Sequence, residues 1–385
     1  MKVLLVHDRL MTPGGSEQVL AAIAAIWPDA PIAVPINGWA RRPPSEATGL
    51  EGREIRSSFL DRIPFLRDRT RAVLPFLPFA IEQLSTAGFD VIVSSSHAVA
   101  KGVITGPDQL HVCYCHSPMR YAWDMQDAYL RGSGIGWGPL GLAVRWQLHR
   151  LRAWDVRSSY GVDHFVANSR YIGRRIAKYY RRTSTVVHPP VQIADCPLGA
   201  EREEVWVTAG RLVPYKRVDL LIEAFRRTPS RRLDIIGDGP DAGRLKRQAQ
   251  GADNIRFLGR LPRPDMLKRI ARARGFAFAA LEDFGIAPVE ALACGTPVAA
   301  YGQGGVLDSQ VDGVTGRLFP EQTPEAVLSA VEAVEASSWD PAVLRRHAAR
   351  FSPERFAHEM RSLVESSWAA RHEGVQADNA PTASP

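Results

Sequence analysis

The sequence predicts an α/β protein built of two Rossmann-like halves that face each other across a deep cleft. Three observations carry this. Short runs rich in Val and Ile alternate with segments of helical spacing, the pattern of parallel strands joined by crossover helices. The alternation breaks once, over Val191–Glu204, where prolines and acids mix without periodicity. It then begins again, so one chain carries two such sheets. A length of 385 residues agrees, since a domain averages about 150 residues.

Lys2–Val6 is an apolar run ending in a glycine-bearing loop, which reads as a first strand. Ser16–Trp27 follows with Val19, Leu20, Ile23 and Ile26 at helical spacing. Asp90–Ser94, His111–Cys115, Val162–Ala167 and Thr185–His188 are further strands, with a basic helix at Tyr171–Tyr180 between the last two. Beyond the interruption, strand Val205–Thr208 leads through a loop into helix Val218–Phe225. Leu233–Ile236 runs into the turn Gly237-Asp238-Gly239-Pro240 and another helix. Ile255–Leu258, Gly275–Ala280 and Pro297–Ala300 complete the strands. Helices at Pro324–Val334, Pro341–Ala349 and Pro353–Ala370 follow. The expected organisation is an N-terminal domain over 1–190, a linker over 191–204 and a second domain over 205–350. A terminal helix over 351–372 returns to the first domain, and a disordered tail covers 373–385.

The composition, 45% hydrophobic and 23% charged, excludes a fibrous or mainly disordered chain. Residues 1–190 hold 23 Lys and Arg against 15 Asp and Glu, so the whole net charge of +7 resides in the first half. Such asymmetry suggests a membrane surface, a nucleic acid or an acidic substrate. No apolar run approaches the roughly 18 residues of a membrane span. The first strand begins too early for a signal peptide. Cys113, Cys115, Cys196 and Cys294 form no Cys-x-x-Cys pair, which argues against zinc and for reduced thiols in a cytoplasm. No nucleic-acid-binding module accompanies the charge.

The most specific motif is Glu282-Asp283-Phe284-Gly285-Ile286-Ala287-Pro288-Val289-Glu290, between a strand and a helix. Free amides of Phe284, Gly285 and Ile286 at the helix start suit sugar hydroxyls or an anion. Glu282 and Glu290 suit vicinal hydroxyls; the alternative is one capping and one surface carboxylate. Gly210-Arg211-Leu212-Val213-Pro214-Tyr215-Lys216-Arg217 also follows a strand. Arg211 and Lys216 could neutralise a diphosphate, Arg as a fork and Lys as a point charge, or could simply be a solvated basic loop. Pro13-Gly14-Gly15-Ser16-Glu17 permits close approach of a phosphate at a helix start, though it is neither a dinucleotide fingerprint nor a Walker loop.

In this order the motifs resemble the family 4 retaining glycosyltransferases of the GT-B fold, over about residues 1–370. His116-Ser117-Pro118-Met119-Arg120-Tyr121-Ala122-Trp123-Asp124 and Ser94-Ser95-Ser96-His97-Ala98-Val99-Ala100-Lys101-Gly102 look like the bacterial GDP-mannose-dependent mannosyltransferases of O-antigen and exopolysaccharide assembly. Ala167-Asn168-Ser169-Arg170 and His188-Pro189-Pro190 are similar to the same group. The resemblance implies that Glu290 binds the ribose. Glu282 with the amides of Phe284, Gly285 and Ile286 holds the transferred sugar. Arg211 and Lys216, helped by Gly15, take the diphosphate. His116 sits by the anomeric carbon, and Gly237, Asp238, Gly239, Arg260 and Leu261 border the base. His97, Lys101, Arg120 and Tyr121 are acceptor-side candidates; equally, His97 could cap a helix and Arg120 could pair with Asp124.

The reaction so implied moves a hexose to an acceptor hydroxyl with retention, the departing phosphate taking the acceptor's proton. A fixed Arg–Lys pair stabilises the leaving diphosphate and can stand in for a metal, so GDP-mannose is expected without a metal cofactor. No second carboxylate for a double displacement is identifiable, Asp124 being an unsupported candidate. Between Gly52 and Leu84, Arg53, Arg56, Arg62, Arg67, Arg69 and Arg71 interleave with Phe59, Phe65, Phe76 and Phe79. Arg174, Arg175, Lys178, Arg181 and Arg182 add a second basic face. These suit an anionic membrane and a lipid-linked glycan acceptor, hence a peripheral protein on the inner face of the cytoplasmic membrane. The competing readings are a UDP-sugar transferase with a soluble acceptor, a UDP-sugar epimerase, and a non-catalytic scaffold.

Overall fold

A computed structural model describes the chain apart from residues 12–13, 45–47, 64–72, 199–200 and 379–385, with side chains described as far as Arg371. Arg67, Arg69, Arg71 and Phe65 of the basic segment lie outside the described residues, as does the end of the polar tail. The chain forms two compact units. One is Met1–His188 with Phe356–Pro385, the other Pro189–Arg355.

The first unit contains β1 (Val3–His7), α1 (Gly15–Ile26), β2 (Ile32–Val34), β3 (Ile55–Ser57), α2 (Leu77–Glu82) and β4 (Val91–Ser96). These are followed by β5 (Leu110–Cys115), α3 (Gln126–Gly132), α4 (Pro139–Ser159), β6 (His164–Ala167), α5 (Arg170–Tyr180) and β7 (Thr185–Val186). Seven parallel strands lie in the order β3-β2-β1-β4-β5-β6-β7. Every residue of β1, β4 and β5 is buried, as expected of strands covered on both faces. Strand alternation divides β1 between two cores. Val3 and Leu5 meet Val19, Leu20 and Ile23 of α1, whereas Leu4 and Val6 meet Leu77, Ala80 and Ile81 of α2. Phe356, Met360 and Val364 of the terminal helix, Pro353–Asp378, pack into the first of these cores.

Two short strands, β2 and β3, and the 21-residue α4 were not expected from the sequence. The buried stripe of α4 is Gly141, Leu148, Leu151, Asp155 and Ser159, which hides an apolar period behind three small or polar residues. Asp155 is tolerated there because Lys101 Nζ (2.5 Å), Trp123 Nε1 (2.7 Å) and Tyr180 Oη (2.9 Å) all donate to its carboxylate.

Cations close the ends of helices in this unit. Arg53 donates to the carbonyls of Ala24, Trp27 and Pro28 at the end of α1. Arg182 donates to those of Ser159, Val162 and Asp163 beyond α4. Arg175 is buried, bonding Ser117 Oγ at 2.5 Å and the Asp124 carboxylate. Of the cations expected to face a membrane, Arg53, Arg175 and Arg182 are held by carbonyl and carboxylate oxygens, whereas Arg174, Lys178 and Arg181 are exposed.

The second unit holds β8 (Glu203–Ala209), α6 (Val218–Arg226), β9 (Arg232–Ile236), α7 (Ala242–Gln248), β10 (Ile255–Gly259), α8 (Arg263–Ala271) and β11 (Ala273–Phe278). It continues with α9 (Ile286–Ala293), β12 (Val298–Tyr301), α10 (Val306–Ser309), β13 (Gly316–Phe319), α11 (Pro324–Glu335) and α12 (Pro341–Ala348). Six parallel strands run β10-β9-β8-β11-β12-β13. Strand β8 starts inside the stretch read as linker, because the Glu203 amide donates to Arg272 and its carboxylate pairs with Arg269 at 2.5 Å. All four cysteines are buried and unbridged.

Candidate functional site

Each sheet reverses its order next to its first strand, between β1 and β4 in one unit and between β8 and β11 in the other. Loops leaving the carboxyl ends of those strands diverge there and leave a crevice for ligands. The sequence-predicted residues collect at these two places.

In the second unit, residues 66 apart in sequence meet: Lys216 Nζ lies 2.5 Å from Glu282 Oε1. Lys216 follows β8 in a single 3-10 turn, Pro214–Lys216, and its ammonium also stands over the rings of Tyr215 and Phe278. Arg211 is exposed beside it, and both line a small pocket with Thr208, Gly210 and Phe278. Glycines make this junction possible. A side chain at Gly237 would sit 1.9 Å from the Gly210 carbonyl oxygen, and one at Gly239 2.3 Å from that of Leu212. Gly237 and Gly239 thus serve the close packing of two loops, and Asp238 is exposed, accepting from the Gly239 amide at 2.8 Å.

Phe284 is buried and packs edge-on against Phe351, which anchors the loop before α9. Gly285 has φ 88° as the N-cap of α9, so the helix begins with its amides uncovered by a capping side chain. Gly304 and Gly305 support this loop from below: the Gly305 amide donates to Glu282 O at 2.8 Å, and a Cβ there would lie 1.8 Å from Asp283 O. Sequence reasoning missed them, although the run Gly302-Gln303-Gly304-Gly305 was a visible signal. Glu290 is on α9, buried and ion-paired to Arg263. Burial raises its pKa, against the pull of the Arg263 guanidinium. Arg263 was likewise missed. Arg260 is exposed and Leu261 half-buried at the start of the loop after β10.

In the first unit, β1, β4 and β5 present His7-Asp8, His97 and His116 at their carboxyl ends. Asp8 is buried and accepts four backbone amides, those of His97 (2.6 Å), Ala98 (3.1 Å), Val99 (2.5 Å) and Ala100 (2.7 Å). Its Oδ2 is also 2.9 Å from His97 Nδ1. Burial works to raise the Asp8 pKa, but His97 and His7 hold it far below the usual carboxylate range. His97 responds in the opposite sense: desolvation lowers its pKa, yet the Asp8 charge outweighs this and raises it above 6.5. His116 Nε2 meets Ser95 Oγ at 2.8 Å, and Ser95 also meets His7 Nδ1. Burial, aided by the neighbouring His97 and His7, lowers His116 to about 3, so it is neutral at physiological pH. Asn168 Nδ2 donates to His116 O at 3.0 Å and His188 Nδ1 contacts Asn168 O, which seats the His116 loop. Gly15 opens α1, with Glu17 Oε1 3.7 Å from His7 Nε2. Asp8 was missed, though a carboxylate directly after an apolar strand was the available signal.

Two acceptor-side candidates are corrected. Lys101 is 1% exposed and paired with Asp155, so it stabilises the interior and presents no charge to a ligand. Tyr121 packs against the α2 and α4 cores with a buried hydroxyl, and burial raises its pKa. Asp124 binds Arg175, and Arg120 is half-buried in the same loop. Among the described residues no group of three or more His, Cys, Asp or Glu is arranged to hold a metal. None of the helices among them is long and apolar enough to cross a membrane.

Each unit matches a glycosyltransferase domain. Residues 13–195 match the family described as Glycosyltransferase Family 4, and residues 197–355 that described as Glycosyl transferases group 1. The chain therefore carries a Glycosyltransferase Family 4 domain followed by a Glycosyl transferases group 1 domain. It is 30% identical to the GDP-mannose-dependent alpha-(1-6)-phosphatidylinositol monomannoside mannosyltransferase of Mycolicibacterium smegmatis, over 53% of this chain and 59% of the relative. It is 34% identical to the D-inositol 3-phosphate glycosyltransferase of Geodermatophilus obscurus, over 55% and 53%. The chain thus spans a little over half the length of these curated relatives. Among solved structures it is similar to Anabaena HepE in complex with UDP (TM-score 0.69, 19% identity, 95% of this chain and 100% of that one). It is also similar to sucrose-phosphate synthase from Thermosynechococcus elongatus (TM-score 0.73, 17% identity, 96% and 100%). At these identities the likeness speaks for the fold, two Rossmann-like domains of the GT-B type.

Proposed function

We propose that the chain is a retaining glycosyltransferase that moves mannose from GDP-mannose to a lipid-linked, polyprenyl-diphosphate oligosaccharide in cell-surface polysaccharide synthesis. It would work as a peripheral protein on the inner face of the cytoplasmic membrane. The observation that carries the reading is the Lys216–Glu282 contact at the strand-order reversal, with Arg211 beside it. A cation pair there can stabilise a leaving diphosphate while the adjacent carboxylate and the α9 amides hold sugar hydroxyls. As the C1–O bond to phosphate breaks, the new C1–O bond to the acceptor forms on the same face, and the acceptor's proton passes to the departing phosphate. His116 is neutral, so a hydrogen bond from it to a sugar hydroxyl would add no charge. Arg211 and Lys216 supply the charge that a divalent ion supplies elsewhere, so no metal is assigned. Mannose as the sugar draws on the Mycolicibacterium relative.

A second reading keeps the reaction class and changes the substrates: a UDP-sugar donor with a soluble acceptor. It draws on the UDP complex of HepE and the inositol-phosphate relatives. The test is a panel of radiolabelled GDP- and UDP-sugars, each with and without a membrane lipid extract. Transfer from GDP-mannose into lipid supports the first reading, and transfer from a UDP-sugar to a water-soluble acceptor supports the second. Sugar interconversion without any acceptor overturns both in favour of an epimerase.

A further inference from the structure

The first two turns of α4, with Trp137 just ahead of the N-cap Gly138, carry large apolar side chains on the outer face. Trp137 is 75% exposed, Leu140 72%, Trp146 64% and Leu142 55%. The inner stripe, Gly141, Leu148 and Leu151, already meets the core, with Leu130 of α3 packed on Leu148 and Leu151. The outward residues are therefore surplus to folding, where a solvated helix would carry polar ones.

The charge around them has one sign. From Ala128 to Trp154 the sequence contains no Asp or Glu, but holds Arg131, Arg145, Arg150, Arg152 and His149. Arg145 stacks 3.9 Å above the Trp137 ring and His149 stacks on Trp146, so cations and indoles form one mixed surface. Arg131 and Arg150 are exposed at its margins. Indoles beside guanidiniums suit the headgroup level of a bilayer, where the rings sit at the apolar boundary and the cations meet lipid phosphates.

We propose that the outer face of Trp137–Arg150 docks the protein on an anionic lipid bilayer. This rests on the membrane reading above and relocates the contact from the Gly52–Leu84 segment. In that segment Arg53 caps a helix, while Phe59 and Phe79 meet at a tilt, 5.3 Å apart, and stay exposed with no indole stacked on them among the described residues.

The test floats the full chain with phosphatidylcholine vesicles, and with vesicles containing about 30 mol% phosphatidylglycerol. The wild type is expected to float with the anionic vesicles and to be released by high salt. W137S/L140S/W146S and, separately, R131Q/R150Q are expected to bind at least about tenfold more weakly at unchanged melting temperature, since these side chains lie outside the core. Undiminished binding of both variants overturns this surface and leaves the membrane reading standing. A wild type that floats with neither vesicle overturns both. A dimer in sedimentation that the triple variant loses, without vesicle binding, names a second copy as the occupant and also overturns the proposal.

Discussion

Lys216→Met is the substitution that the proposed chemistry depends on most. It keeps the aliphatic stem and removes the cation 2.5 Å from Glu282. The Lys216 side chain is 20% exposed, which is dry enough for its charge to act with an effective dielectric near 20. At about 4 Å from a developing phosphate charge this amounts to about 4 kcal/mol before losses to solvent. Removing one such preorganised donor commonly costs about 2.7–4 kcal/mol in the transition state, so kcat is expected to fall roughly 100- to 1,000-fold. The same change strips Glu282 of its counter-ion, and a slow enzyme could be merely an unstable one. Lys216→Met/Glu282→Gln separates the two effects. It is expected to regain the melting temperature of the wild type without regaining the rate. The assay is initial transfer at saturating donor and neutral pH, with melting followed by circular dichroism. A folded Lys216→Met enzyme whose kcat stays within about threefold of wild type would falsify the assignment of Lys216 to the leaving group.

Other outcomes follow from the buried charges. Lys101→Met is expected to lower stability to urea by about 3–5 kcal/mol, because it leaves Asp155 buried without its cation, while the acceptor KM stays unchanged; a raised KM in a fully stable variant would contradict the interior role. His97 should titrate above 6.5 by NMR in the wild type and lower in Asp8→Asn, where desolvation loses its main opponent. Since folding raises the His97 pKa, the stability lost in His97→Gln should be fully present below the ordinary histidine pKa of 6.5 and shrink as pH rises through the raised one; the opposite trend would count against the Asp8–His97 pair. Prolonged EDTA treatment is expected to leave transfer unchanged, because Arg211 and Lys216 carry the charge; loss of activity restored by a divalent cation would refute that part of the proposal.

The sequence displayed the longer strands and concealed two of the shortest. β1, β4 and β5 run five or six residues and are rich in Val, Leu, Ile or Cys, whereas β2 and β3 are only three residues each and lie in a proline-rich stretch. The site followed the same division. Glu282, Lys216 and Arg211 were findable because each sits in a loop directly after a strand, where a parallel sheet exposes its loops to ligand. Their mutual contact was not findable, since it depends on β11 lying beside β8. Lys101 was misread for a related reason. A lysine following a serine-rich strand end looks like a ligand group until Asp155, 54 residues later, is seen to enter the same interior.

The charge of the first half shows why net charge alone is a weak guide to a partner. Arg53 and Arg182 bind carbonyl oxygens at helix ends, where a guanidinium satisfies acceptors that the helix leaves open. Lys101 and Arg175 face carboxylates. These cations belong to folding, and counting them toward a membrane or a nucleic acid overstates the case for either. Arg131 and Arg150 differ because both are exposed and flank exposed tryptophans, with no acid between them in sequence. A partner-directed charge is recognised by what surrounds it and by what the fold leaves unsatisfied. On that criterion two basic surfaces remain, the outer face of α4 and the exposed Arg174, Lys178 and Arg181 of α5 and its end, and the exposed tryptophans favour the first.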